Sequence, residues 1–395
     1  MAAAETAATQ NEETDEEDEQ DRPVRHHGGR HCNRVAMFTA PASASPHHPR
    51  QEASDAPVFM QSDAQDGNTV VAYDRADDGT LKQQGVYATG GLGGKLDGAV
   101  VDKPASQGSL TYDPAHRLLY AVNAGSDTVT VFAVRGDRLV RRQIVTSEGE
   151  FPVSVTVHGN LVYVLNALDG GSVQGYLNVA GHLVKVPSWH RGLGLDPAAT
   201  PQFTHTPGQI GFTPDGSRLI VTTKAGGNSF EVFRVGLPGI ATKPVITGAP
   251  GSVPFGFSFD RAGRLVVTEA GPNAVATYRV DGDNHLTKVD EKATGQAATC
   301  WVATVGNDIY AANAGSGTLS GLRTGQDGTL TSLTTTPTGA GTVDVSVSGD
   351  GRFLYAQTGA AGGVDAFRVN ADGSLTLTGS VVVPGAVGGE GIAAL

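Results

Sequence analysis

The chain has 395 residues, of which 54 are glycine, 39% hydrophobic and only 6% aromatic, with a formal net charge of −12. That acidic balance argues against nucleic acid or an anionic membrane surface as a partner. No stretch approaches the length of apolar sequence that a spanning helix needs. The two cysteines, Cys32 and Cys300, are too few to identify a redox compartment.

Residues 1–56 read as a tail, acidic first and then basic and His-rich. Glu12 to Asp21 holds eight acids in ten residues, and Arg22, Arg25, Arg30 and Arg34 then alternate with His26, His27 and His31. Such a segment cannot bury enough apolar surface to offset its ordering entropy, so disorder is expected. His26, His27, His31, Cys32, His47 and His48 are irregularly spaced, which reads as adventitious metal binding. No dedicated metal site and no cofactor is expected. Thr39 to Ser45 looks like the small-residue end of a secretory signal, but only Val35 to Phe38 is hydrophobic before it, so cytoplasmic and secreted locations both stay open.

From residue 57 to 395 the pattern is strand and turn. The phrase Arg117-Leu-Leu-Tyr-Ala-Val-Asn123 returns at Leu161–Asn166, Arg218–Lys224, Arg264–Glu269, Asp308–Asn313 and Arg352–Gln357. Each copy leads through a Gly-rich turn into a second alternating run. Asp-Gly pairs at Asp78, Asp215, Asp327, Asp350 and Asp372 supply hairpin closures. A repeat of this length made only of strands means a radial or stacked β architecture. Six inner strands are expected at Ser109–Tyr112, Val153–Val157, Gln209–Phe212, Gly256–Phe259, Cys300–Ala303 and Val343–Val347.

Val58–Ser62 adds a seventh copy of the Leu-Tyr type strand with no inner strand before it, while Gly391–Leu395 is an inner strand with nothing after it. The two halves complete one blade. The expected fold is an all-β, seven-bladed β-propeller whose first blade is closed by the C-terminal strand, a closure that leaves no free edge. Two units are long, with insertions at Gly90–Lys103 and Pro187–Gln202 that each run into an inner strand. Both should lie at the mouth of the central channel, either carrying function or plugging it.

The chain contains no Gly-x-Ser-x-Gly, His-Glu-x-x-His or Cys-x-x-Cys. Thr89-Gly-Gly-Leu-Gly-Gly-Lys95 lacks the pattern of a phosphate loop, and Asp281–Asn284 is too short for a calcium loop. The phrases Leu119–Val131 and Ile309–Ser320 resemble the repeat of bacterial seven-bladed propellers of the lactonase family, of the 6-phosphogluconolactonase and carboxymuconate cyclase type. The resemblance covers roughly residues 57–395 and implies chemistry on a lactone at one mouth of the channel. Against the family's His-Pro-His phrase, only His205 of His205-Thr-Pro-Gly-Gln209 maps. Val253-Pro-Phe-Gly256 lacks the family's basic residues although Glu269 is present, and Asn313-Ala-Gly keeps only the asparagine of an Asn-Arg phrase. A sugar-phosphate lactone is therefore not expected as substrate.

The candidate catalytic residues are His205 as general base and Glu269 as its orienting carboxylate. The candidate substrate-binding residues are Gln209, Lys224, Asn123 and Asn313, with Asn166 a further neutral donor, and Trp301, Asp344 and Glu390 as channel-lining residues. Each also has a plainer reading. His205 fits a structural histidine, and Glu269 and Lys224 an ion pair. The asparagines fit strand-end turns, Trp301 inter-blade packing and Glu390 a rim charge. The expected function is hydrolysis of a small uncharged lactone or sugar-like ligand by a monomer with no membrane span. The alternative is a non-catalytic propeller that binds a small molecule or a protein.

Overall fold

The computed structural model describes residues 56–236, 239–240 and 243–395. The His/Cys-rich tract and the signal-like segment lie outside the described residues. Seven antiparallel sheets follow one another along the chain, each meandering from an inner to an outer strand. The inner strands run over Leu110–Asp113, Pro152–His158, Gln209–Phe212, Pro254–Phe259, Thr299–Val305 and Thr342–Val347, with Ile392–Ala394 as the seventh. We number the blades 1 to 7 from the sheet that begins at Val58.

Blade 1 is built from both ends of the described chain. Val58, Phe59 and Met60 pair with Ala394, Ala393 and Ile392, Gln61 N–H donates to Gly391 O (2.8 Å), and Leu395 N–H donates to Pro57 O (3.0 Å). This is the closure expected from the unpaired half-blades. Blade 3 gains a short extra strand at Arg191–Gly192, and in blade 4 the outer edge divides between Gly239–Ile240 and Val245–Gly248.

The repeated phrase is scaffold. Its tyrosines, Tyr120, Tyr163, Tyr310 and Tyr355, are buried between blades. Two of them explain the Asp-Gly turns, since Tyr310 donates to Gly373 O and Tyr355 to Gly79 O, each in the next blade's turn. Gly79 has φ +90°, and a Cβ there would come within 2.3 Å of the Phe353 ring, so both the turn and the packing demand glycine. The turn aspartates accept from the residue two positions on, as Asp78 does from both the amide and hydroxyl of Thr80.

Strand direction places the two insertions. The turns between second and third strands, and the connections from each outer strand to the next inner strand, all lie at one end of the ring. Both long insertions are of the second kind.

Candidate ligand pocket at the channel mouth

The two insertions meet over the channel. Phe203 N–H donates to Asp97 O (3.2 Å), and Asp97 N–H donates to Gln202 Oε1 (2.9 Å). The first insertion then turns inward, and residues 102–109 fill the channel. Trp301 Nε1–H in blade 6 donates to Ser106 O (2.6 Å). The Gln107 side-chain amide donates to Val302 O (2.8 Å) and accepts from Val302 N–H (3.1 Å). Gln107 N–H reaches Gly208 O of blade 4, and Ser106 Oγ–H reaches Val153 O of blade 3. We call this segment the stopper.

Between the insertions and blades 5 and 6 lies a pocket of about 410 Å³. Its walls are mainly apolar: Val100, Val101, Phe203, Phe255, Trp301 and small alanines of the blade turns. Phe255 and Trp301 meet edge to face, with ring centroids 5.1 Å apart. The polar wall groups are Asp102, Lys224, Thr204 and Cys300. Burial pushes the Cys300 thiol up to about 12, so it stays protonated.

Lys224 is a clamp. It is 1% exposed and donates to Ala105 O (2.7 Å), Phe203 O (2.6 Å) and Thr206 Oγ1 (3.0 Å). One ammonium thus ties both insertions to blade 4. Burial pulls its pKa down to about 7, with Asp102 working the other way. Three acceptors use all three N–H bonds, so the charged form is the one this geometry fits. Its backbone has φ +46°, unusual for a lysine and a sign that its surroundings dictate its position.

Four buried carboxyls cluster at the stopper, one of them its own Asp102. Asp102 accepts from Ala105 N–H (3.0 Å) and Ser106 N–H (3.1 Å). Glu390 accepts from Ser106 Oγ–H (3.0 Å) and Gly108 N–H (3.1 Å). Asp344 accepts from Val345 N–H and Ile392 N–H and faces Glu390 within hydrogen-bonding reach. Asp63 accepts from Glu390 N–H (2.8 Å), while its carbonyl accepts from Lys103 Nζ (3.1 Å). Burial raises all four: Asp63 to about 6, Asp344 to about 7, Asp102 and Glu390 well above the usual range. Among the described residues, no group of three or more His, Cys, Asp or Glu side chains is arranged to hold a metal ion.

Residues 267–390 match the family model "Lactonase, 7-bladed beta-propeller". Solved structures with the same fold include a protein from Lactobacillus plantarum (19% identical, TM-score 0.69, covering 86% of this chain and 99% of that one). The periplasmic gluconolactonase of Pseudomonas aeruginosa is 18% identical, with TM-score 0.66 over 86% of this chain and 99% of its own. A candidate 6-phosphogluconolactonase from Bacteroides fragilis is also 18% identical, with TM-score 0.68 over 88% and 99%. The chain is a seven-bladed β-propeller whose residues 267–390 resemble the lactonase family. No curated protein matches the sequence.

In this propeller, the residues singled out from sequence do not form one site. Glu269 is fully buried between blades 4 and 5, held by the Tyr278 hydroxyl and by Lys288 Nζ at 2.9 Å. His205 is half-buried, with Nδ1 at 2.9 Å from Thr204 Oγ1 and 3.0 Å from Pro201 O. It borders a small recess beside Asp169 and Asp196 rather than the mouth pocket. None of the hydrogen bonds of the described residues joins His205 to Glu269, or Glu269 to Lys224. Gln209 clamps blade 5 by a two-way bond with the backbone of Phe257.

Asn123 bonds Thr128 and Thr130, Asn313 bonds Thr318 and Ser320, and Asn166 bonds Ser147 O and Ser172, as strand-end residues do. Lys224 is not in the asparagine position. Leu219 pairs with Phe212 as Leu119 pairs with Tyr112, so Thr223 matches Asn123 and Lys224 falls one residue beyond. Trp301 lines the pocket, whereas Asp344 and Glu390 are buried beneath it, which corrects the rim reading of Glu390. Sequence reasoning missed Asp63, Asp102, Lys103 and Gln107. The one available signal was Asp102-Lys103, a charged pair entering the stopper.

A larger cleft of about 600 Å³ opens among the hairpin turns at the other end of the strands, lined by Arg218, Arg264 and Arg279 with Asp215 and Asp327. Arg218 and Arg264 are already bonded to Asn284, Asp260 and turn carbonyls. With two of its three arginines committed to partners within the protein and two aspartates beside them, this cleft presents little free charge, and the mouth pocket is the better candidate.

Proposed function

We propose that the protein binds a small, uncharged, largely apolar molecule in the mouth pocket, and that this molecule is a lactone or a similar cyclic ester. The observation that carries the reading is the pocket's lining: apolar walls at the insertion-built mouth, with the polar groups Asp102 and Lys224 already bonded within the protein. A phosphorylated or strongly polar sugar would lose its hydration there without gaining partners. The lactonase-type fold supports the ester class.

A second reading is hydrolysis at the same place, as first expected from sequence. It is favoured by burial drawing Lys224 to about 7 beside Asp102, which makes a neutral amine accessible as a general base near neutral pH. Its cost is the loss of a donor to one of the three acceptors.

Calorimetric titration with dihydrocoumarin, an uncharged aryl lactone, and with a phosphorylated sugar lactone tests the binding reading. The first should bind and the second should not. Phe203→Asp should abolish binding. Equal binding to wild type and Phe203→Asp would place the ligand elsewhere. Turnover of dihydrocoumarin that disappears in Lys224→Met while binding persists would establish the hydrolytic reading.

A further inference from the structure

We propose that the stopper, residues 102–109, is a proton-controlled wall of the mouth pocket: closed while the Asp344–Glu390 pair shares a proton, and loosened when that proton leaves. The inference deepens the proposed binding reading by assigning its regulation. Its first test needs no ligand, so the two can fail separately.

Glu390 holds the stopper by Gly108 N–H and Ser109 N–H and by Ser106 Oγ, whose single hydrogen it shares with Val153 O. Those contacts hold one carboxylate oxygen at 3.1 Å and the other at 3.0 Å from the chain that fills the channel. Asp344, 3% exposed, faces the fully buried Glu390. Two ionised carboxylates at such range, out of water, repel strongly, and one proton between them removes the repulsion.

The surrounding charges do not supply an alternative. Asp63 and Asp102 add negative charge from the first blade and from the insertion, and Asp66 lies further out beside Lys103. The cations that face the cluster are Lys103, on Asp63, with Lys95 beyond it, and Lys224, near Asp102. Cys300 is neutral. Neither lysine donates a hydrogen bond to Asp344 or Glu390. The pair must therefore keep a proton or admit water, and water enters when the stopper leaves Glu390. The stopper also supplies Asp102 and Ala105 to the pocket wall. Opening it dismantles the ligand site.

The direction follows from linkage. In the closed state the pair holds its proton to a higher pH than solvated carboxyls do. Opening therefore becomes easier as pH rises from the solvated carboxyl range, near 4, toward the value of about 7 to which burial raises Asp344. The change is about tenfold per pH unit for each proton released.

Hydrogen–deuterium exchange of the full chain, corrected for intrinsic rates, reads this directly. Protection of the 102–109 amides should fall about thirtyfold between pH 5.5 and 7, with outer-strand amides unchanged. Glu390→Gln keeps the shape and can donate to Asp344, so its protection should fall far less steeply than that of the wild type, with Asp63 and Asp102 supplying the remaining slope. Asp344→Asn serves as the second variant and should flatten the profile likewise. The affinity of prodan, an uncharged naphthyl ketone dye, should weaken in wild type over the same interval and far less in Glu390→Gln. A flat wild-type protection profile, or one equally steep in both variants, overturns the proposal. Protection that changes while prodan affinity does not would overturn the link to the pocket.

Discussion

Trp301 donates its indole N–H to the carbonyl of Ser106 over 2.6 Å, joining blade 6 to the segment that fills the channel. The same tryptophan presents its ring to the mouth pocket. One side chain therefore contributes to both stopper and ligand wall, and its replacement separates the two roles.

Trp301→Phe keeps an apolar ring but leaves Ser106 O without that donor. A loss of about 1–2 kcal/mol is expected in urea unfolding, with a local rise in exchange at 105–107. Unchanged stability and exchange would mean that the bond contributes nothing.

Lys224→Met retains the volume of the stem while leaving Ala105 O and Phe203 O unpaired and Asp102 without its neighbouring cation. The expected cost is about 3 kcal/mol. Exchange should rise in both insertions together, since one ammonium ties them; a rise confined to one would refute the clamp.

Glu269→Gln distinguishes a buried inter-blade carboxylate from a catalytic one. The Tyr278 bond survives and Lys288 keeps its pairing with Glu291 Oε2 (2.6 Å), so a loss of about 1 kcal/mol is expected. Dihydrocoumarin binding and any turnover should match wild type. A selective loss of turnover would restore Glu269 to the chemistry.

Global stability should decline from about pH 5 to about pH 7. Asp63 and Asp344, raised to about 6 and about 7, keep protons in the folded state that the unfolded chain releases near 4. Their contribution is therefore complete below about pH 4 and lost as pH rises through the folded values, at about 1.4 kcal/mol per unit per proton. Lys224, lowered to about 7, acts in the opposite sense and only above that value. Denaturant midpoints across this range in wild type and Asp344→Asn check the sign. The variant should show the shallower decline.

The architecture was legible because its causes are local. Alternation of apolar residues specifies strands, and Asp-Gly specifies the hairpins. The unmatched half-blades at Val58 and Ile392 specify the closure, since a free edge is costly. The placement of both insertions at one mouth followed from their position before inner strands. The assembly of the site was not legible. Glu269 ends a strand like the asparagines do, yet its side chain shares the face of Leu265 and Val267 and is committed to the blade interface. Strand periodicity alone could not say which blade interface or which partner it would meet.

Sequence by itself determined the strand-and-turn repeats and their scaffold role, because those rest on contacts between neighbours in the chain, and it pointed to the ring's closure only through two half-blades that lack a local partner. Only the tertiary structure decided where ligand chemistry can occur. Glu390 and Asp63 are 327 positions apart and Gln107 and Val302 are 195 apart, and each pair meets only when the ring closes around the inserted segment. Burial then sets their charge states, and burial is a property of the whole fold rather than of any residue's neighbours in sequence.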